Sequence, residues 1–309
     1  RYVRDVEAGG SNPLAPTISI GIEFLMANSL SENNTKRTCI FCGSSPTTQE
    51  HVYSDWLKPF LPSASFLQQI VAGTPSNRSI PVIRNLPNKN MLETKVKIVC
   101  SDCNNGWMSQ IENRVKPILI PLIQGDQTIL RDTTQTELSQ WIFLKHIIAQ
   151  YTAPKSITIT EAQRMRLMFN GSVPSRFQIF LSSCEHPALI NGYMHRSNNV
   201  TSTNRRNFPQ HSPHNIHSSL LNLGKICIFT FFSHSTYLLA DETYNEIAKQ
   251  CGLVQLWPQE YVEIQLPNKY SSTLSVAVSM AEYTHLEAED CNNFVNSLSP
   301  EYIQNIRGS

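Results

Sequence analysis

Cys39-Ile-Phe-Cys42-Gly43 and, after an interval of 57 residues, Cys100-Ser-Asp-Cys103-Asn104-Asn105-Gly106-Trp107 decide how the first third of this 309-residue chain folds. A Cys-x2-Cys turn holds two thiolates on one knuckle. Two such knuckles complete a tetrahedral four-thiolate shell, which suits a structural zinc ion with no open coordination position. Cys39, Cys42, Cys100 and Cys103 are therefore the expected zinc ligands. The alternative, a pair of redox dithiols, wants the strand–helix junction of a thioredoxin-like unit, a setting expected for neither pair. The interval between the pairs exceeds that of a simple zinc ribbon, so an inserted segment is expected there. The other cysteines stand singly; Cys184, Cys227 and Cys251 lie in apolar surroundings and read as core residues.

Outward from the knuckles, Ser54 to Phe60 has the spacing of a short amphipathic helix, and residues 62–90 read as a long insertion with little regular structure. Lys95 to Val99 alternates as a half-buried strand. Asn104 is expected to cap a helix ending at Pro117, with Trp107, Ile111 and Val115 on one stripe. Beyond Gly125, Thr134-x-x-Glu137 predicts a helix to about Tyr151 and Thr160-x-x-Gln163 a second one. Phe177–Leu181, Ile226–Phe232, Val254–Trp257 and Val262–Leu266 read as strands, residues 197–217 as a loop, residues 241–252 as a helix, and Ser299-Pro300 as the start of a last one. His211, His214 and His217 fall in that expected loop and are read as loop residues.

Composition is that of a globular protein, with 40% hydrophobic and 16% charged residues. Residues 26–125 carry 10 Lys+Arg against 6 Asp+Glu, and residues 126–309 carry 13 against 15. The small positive excess thus sits with the cysteine pairs, where a phosphate-binding module would want it. No apolar run reaches the ~18–20 residues that span a bilayer, and residues 1–25 lack the apolar stretch of a signal peptide. The expected location is cytoplasmic, where paired cysteines hold metals more often than disulfides. Residues 1–37 are expected to be a cloning scar or a disordered arm.

Between the knuckles stands Gln49-Glu50-His51-Val52. In combination with Cys-Ile-Phe-Cys-Gly and Cys-Ser-Asp-Cys-Asn-Asn-Gly-Trp, this resembles the HNH (ββα-metal, treble-clef) endonuclease family, in the bacterial branch with Cys-Asn in place of Cys-His. The resemblance covers roughly residues 38–116. It implies an α+β fold: a zinc-stapled ββα-metal module at 38–125, followed by a mixed α+β domain at 126–309 for sensing, targeting or oligomerisation. It implies a metal-dependent endonuclease, an anti-phage or restriction effector, with DNA the expected partner and RNA the second. A homo-oligomer or a partner protein of a defence system also fits that context.

Phosphodiester cleavage needs an activated water and a stabiliser for the charge gathering on phosphorus. His51, neutral near pH 7, is the expected general base. Glu50 and Asn104 are the expected ligands of a catalytic Mg2+ or Mn2+, which takes hard oxygen donors and keeps several waters. Glu112, two turns along the same helix, is a weaker candidate for a ligand or supporting role. Neighbours on a strand point to opposite faces, so Glu50 and His51 can share a cleft only where the chain bends. The family's central Asn before the second knuckle is absent from Lys95–Val99, and Asn88 and Asn90 stand too far upstream to replace it. The alternative function is a non-catalytic zinc module that binds nucleic acid or protein.

Overall fold

The computed structural model describes residues 38–61, 68–72, 82–85, 91–154, 157–183, 192–198, 216–234 and 253–267. In chain order these form β1 (Thr47–His51), a 3-10 turn (Asp55–Phe60), β2 (Gln68–Ala72), β3 (Val82–Asn85) and β4 (Lys95–Cys100). A single turn α1 (Ser101–Cys103) runs through a π-helical step (Asn104–Met108) into α2 (Ser109–Gln124). Then come β5 (Thr128–Arg131), α3 (Asp132–Gln150), α4 (Glu161–Asn170), β6 (Phe177–Ser183), β7 (Gly192–Asn198), β8 (Ile216–Leu223), β9 (Ile226–Ser233), β10 (Val254–Trp257) and β11 (Glu263–Leu266). The class is mixed α and β.

β1 and β4 pair antiparallel, and β5 pairs antiparallel with β11. The remaining strands make one seven-stranded sheet in the order β10-β6-β9-β8-β7-β2-β3. Every ladder in it is antiparallel except β2 against β7. The interval between the cysteine pairs is thus not without regular structure, as its Pro, Ser and Asn content suggested. It supplies β2 and β3, and backbone pairing to β7 outweighs a weak local pattern. The expected loop at 197–217 is likewise corrected at both ends by β7 and β8. His217 lies in β8 and is fully buried; His211 and His214 lie outside the described residues, as do residues 1–37, 241–252 and 299–300 and Cys184, Cys251 and Cys291.

The helix after the second knuckle differs from expectation at both ends. Cys100, extended at φ −78° and ψ 162°, is its N-cap and accepts from the Cys103 N–H through sulfur, while Asn104 is already helical. The asparagine is therefore freed from capping. Contrary to expectation, the second cysteine pair does stand at a strand–helix junction; its convergence with the first pair is what sets it apart from a redox dithiol. Pro117 does not stop the helix, which continues through Pro121 and ends at Gly125. Ile111, Val115, Ile118, Leu119, Leu122 and Ile123 are all buried along one stripe. At ~1.5–3 kcal/mol per buried side chain, that stripe outweighs the ~3 kcal/mol cost of each interior proline.

α3 packs against α2 and carries Arg114–Glu137 as a 3.5 Å ion pair between the two helices. On its other side Phe143 and His146 each lie 4.7 Å from the Phe177 ring of the large sheet. Packed on both sides, α3 is buried at every position from Leu138 to Gln150 except Gln140, as the apolar run Trp-Ile-Phe-Leu requires. It begins at Asp132, with Thr134 inside the first turn accepting from the Arg131 N–H at 2.7 Å, and not at Thr134 as expected. α4 begins as expected: the Gln163 N–H donates to Thr160 Oγ1 at 3.3 Å, and the Thr160 N–H to Gln163 Oε1 at 2.9 Å. The anticipated strands at 177–181, 226–232 and 254–257 lie in β6, β9 and β10, and that at 262–266 is β11 less Val262.

Candidate active site and metal centre

The first knuckle is a tight turn in which the Gly43 N–H donates to the Cys39 carbonyl at 2.9 Å and the Cys39 N–H to Ser44 at 2.8 Å. Gly43 takes φ +74°, a region L side chains avoid. The Ile40 N–H donates to the Ile98 carbonyl at 2.9 Å, tying the knuckle to β4 and so to the second cysteine pair. From α4, Arg164 donates to the carbonyls of Ile40 and Ile159, each at 3.0 Å.

The sulfurs of Cys39, Cys42, Cys100 and Cys103 lie within 4.8 Å of one another, the closest being Cys42 and Cys100 at 3.5 Å. A tetrahedral zinc with Zn–S bonds of ~2.3 Å has S···S edges of ~3.8 Å. The spacing fits such a shell, and the cluster can hold a metal ion such as zinc. Hydrogen bonding from Ser44 pulls the Cys42 thiol down to about 6, whereas burial pushes Cys100 and Cys103 up. Burial thus favours the thiol at Cys100 and Cys103, and a bound cation reverses that preference.

Next to the cysteine cluster, β1 turns its end into a cleft of about 230 Å3 lined by Glu50, His51, Ser54, Asp55, Trp56, Asn104, Asn105, Ser109 and Glu112. The three residues expected to act together therefore line one cleft. The β1–β4 register slips just before the pair, between Thr48 and Glu50, while Glu50 faces Val96 and His51 faces Lys95 in regular register; both line the cleft because β1 ends at His51. Asn104, one residue past the second knuckle, comes from the helix on the opposite side, and its side chain acts to lower the Glu50 pKa.

His51 presents Nε2 to Asp55 Oδ1 at 3.2 Å, and Asp55 pairs with Lys58 at 2.6 Å. In a neutral ring whose Nε2–H donates to Asp55, Nδ1 is left as the basic nitrogen. Burial lowers the His51 pKa below its ordinary value, with the Asp55 charge opposing. Glu112 does not stand open to the cleft as a bare carboxylate. Ser54 Oγ donates to its Oε1, Trp56 Nε1 to its Oε2 at 3.1 Å, and Lys145 Nζ lies 2.6 Å from Oε1. Burial would raise the Glu112 pKa, yet Lys145 and these donors hold it below the ordinary value. For Glu50, whose Oε1 is 3.7 Å from Lys145, burial prevails and its pKa is raised.

Asp55 and Lys145 are the site residues that the sequence reading passed over. Lys145 carried a signal. It is the sole charged residue in Trp141-Ile-Phe-Leu-Lys145-His146-Ile-Ile-Ala149, and a lysine at 1% exposure requires a counter-charge. Asp55 had none beyond lying four residues after His51, because its role depends on the 3-10 turn that follows β1.

A different buried constellation lies between α3 and the sheet. His146 and His217 rings are 4.3 Å apart, and His195 is 5.3 Å from His217. His146 Nε2 meets Gln150 Nε2 at 2.8 Å, and its Nδ1 lies 3.3 Å from Thr230 Oγ1 and 3.4 Å from Ser219 Oγ. Burial lowers His146 to about 3, with His195 adding repulsion, and burial lowers His195 to about 4.

Compared with known protein families, curated proteins and solved structures, the chain matches none. Among the described residues no helix is long and apolar enough to cross a membrane.

Proposed function

We propose that this protein is a metal-dependent endonuclease of the HNH type, with zinc at the four cysteines and its reactive centre in the cleft of Glu50, His51 and Asn104. The observation that carries the reading is the convergence of those three side chains on one cleft beside the cysteine cluster, at the end of β1. On this reading the knuckle, the β1–β4 pair and α2 are the family's ββα-metal unit in treble-clef arrangement. The cleft's donors are hard oxygens, a carboxylate and a side-chain amide, which suit Mg2+ or Mn2+ with water completing the shell. When bound, such a cation stabilises negative charge on the phosphoryl oxygens.

The chain's own residues do the rest. His51 takes the proton of the attacking water at Nδ1, while Asp55 holds the ring by Nε2 and stabilises the imidazolium that results. Asp55 thereby fills the orienting role left open by the missing central Asn. Asn104 fixes Glu50 across the cleft, and Asn105 and Ser109 offer polar contacts to a phosphate backbone. DNA is the proposed substrate and RNA the second, in keeping with the positive excess of residues 26–125. A role in anti-phage defence or restriction, in the cytoplasm, belongs to the same reading and rests on the motif resemblance alone.

A non-catalytic zinc module is the competing reading. Supercoiled plasmid and a structured RNA, each with Mg2+ or Mn2+, separate the two. Metal-dependent nicking by the wild type that is lost in His51→Ala supports the nuclease. Retention of both nucleic acids on the protein with neither cut rejects it.

A further inference from the structure

Lys145 reaches the cleft from α3 and is too deeply buried, at 1% exposure, to touch a polymer substrate. It can act only through the two carboxylates it faces, and it treats them unequally. Its ammonium is 2.6 Å from Glu112 and 3.7 Å from Glu50, contact distance for one and beyond hydrogen-bond reach for the other. Both Glu112 oxygens are already engaged, Oε1 by Lys145 and Ser54 and Oε2 by Trp56. Glu50 has Asn104 beside it.

We propose that Lys145 is a positioning residue that ties down Glu112 and so leaves Glu50, with Asp55 already held by Lys58 and His51, as the cleft carboxylate open to a divalent cation. This rests on the reading under Proposed function. A second carboxylate beside the first would invite the paired-cation arrangement of many phosphoryl-transfer sites. The buried ammonium supplies in its place a fixed positive charge that cannot be exchanged with solvent. α3, which lies outside the segment bearing the family motifs, thus decides which carboxylate of the cleft is free to bind a cation.

The ammonium and the bound cation repel one another, so its removal and its release have opposite effects. Lys145→Met frees Glu112 and takes away a positive charge; Mn2+ should bind at least about tenfold more tightly, or with a second ion. Glu112→Gln releases the ammonium towards Glu50; Mn2+ should bind at least about tenfold more weakly. Lys145→Arg should stay near the wild-type value.

Mn2+ titration of zinc-loaded protein, followed by the electron paramagnetic resonance signal of free Mn2+, reads all of these, with Glu50→Gln to assign binding to the cleft. One cleft Mn2+ in the wild type and opposite shifts in the two variants is the expected result. Equal weakening in both, as a merely structural role would give, overturns the proposal, as does no change in either. Should Lys145→Met not fold, Glu112→Gln decides alone: unchanged or tighter binding refutes the proposal. A wild type with no Glu50-dependent Mn2+ overturns the underlying reading and this proposal with it, a result distinct from equal shifts in the variants.

Discussion

Acidifying the protein from pH 7.5 to pH 5 should destabilise it through the histidines behind the sheet. His146 and His195 are 3% and 1% exposed, with nothing acidic among their described contacts, and they are folded in the neutral form. Their folded pKa values of about 3 and about 4 lie below the unfolded value of ~6.5. The unfolded chain therefore binds more protons in this range. Stability is full above ~6.5 and drains away as the pH falls towards the folded values.

At pH 5 each histidine forfeits ~2 kcal/mol, the free energy of protonating a group of pKa ~6.5 in the unfolded chain alone, and the pair ~4 kcal/mol. That is a large part of a typical ~5–15 kcal/mol total. Asp55 and Glu112, whose pKa values are held low, keep their charge across this window, and Glu50, held high, works in the opposite direction. Urea unfolding of the zinc-loaded wild type and of His146→Gln with His195→Gln, at both pH values, isolates the effect. Zinc loss in acid is common to both proteins and cancels. The double variant should be less stable at pH 7.5 yet lose ~4 kcal/mol less on acidification. An equal acid loss in both would refute the claim that these rings are neutral and dry.

Removing the cysteine-bound metal with a chelator, or replacing Cys100 by Ser, should melt the knuckles and the β1–β4 pair, read as loss of protection from amide exchange at Val96 to Cys100. Asp55→Asn should cut any cleavage rate by roughly tenfold and move the acid limb of its pH profile downward, because the Asp55 charge raises the His51 pKa. An acid limb that stays in place would separate Asp55 from His51. Gly224→Ala should cost ~1–3 kcal/mol in urea unfolding, since residue 224 has φ +57° and a Cβ there would lie 2.5 Å from the Ile123 carbonyl oxygen.

The knuckles, β4, α4 and the apolar strands were legible because each is announced locally, by thiol spacing, by alternation, by a capping box or by an unbroken apolar run. β2 and β3 were not, because Gln-Gln-Ile-Val-Ala and Val-Ile-Arg-Asn are ordinary segments that become strands only by pairing with each other and with β7. Pro117 and Pro121 misdirected the end of α2, where the buried stripe outweighs two lost hydrogen bonds. In the cleft, Glu50, His51 and Asn104 could be named from the motif text, whereas their meeting where β1 ends against the helix could not. Lys145 comes from a helix far along the chain, and which carboxylates answer its charge is a tertiary fact.

The measurement closest to the central claim is chemical rescue of His51→Gly in plasmid nicking with saturating Mn2+. The account predicts that the wild type cuts, that the variant cuts at least about a hundredfold more slowly, and that added imidazole restores cutting in proportion to its neutral form. A His51→Gly protein that nicks as fast as the wild type, with zinc and Mn2+ bound, would contradict it.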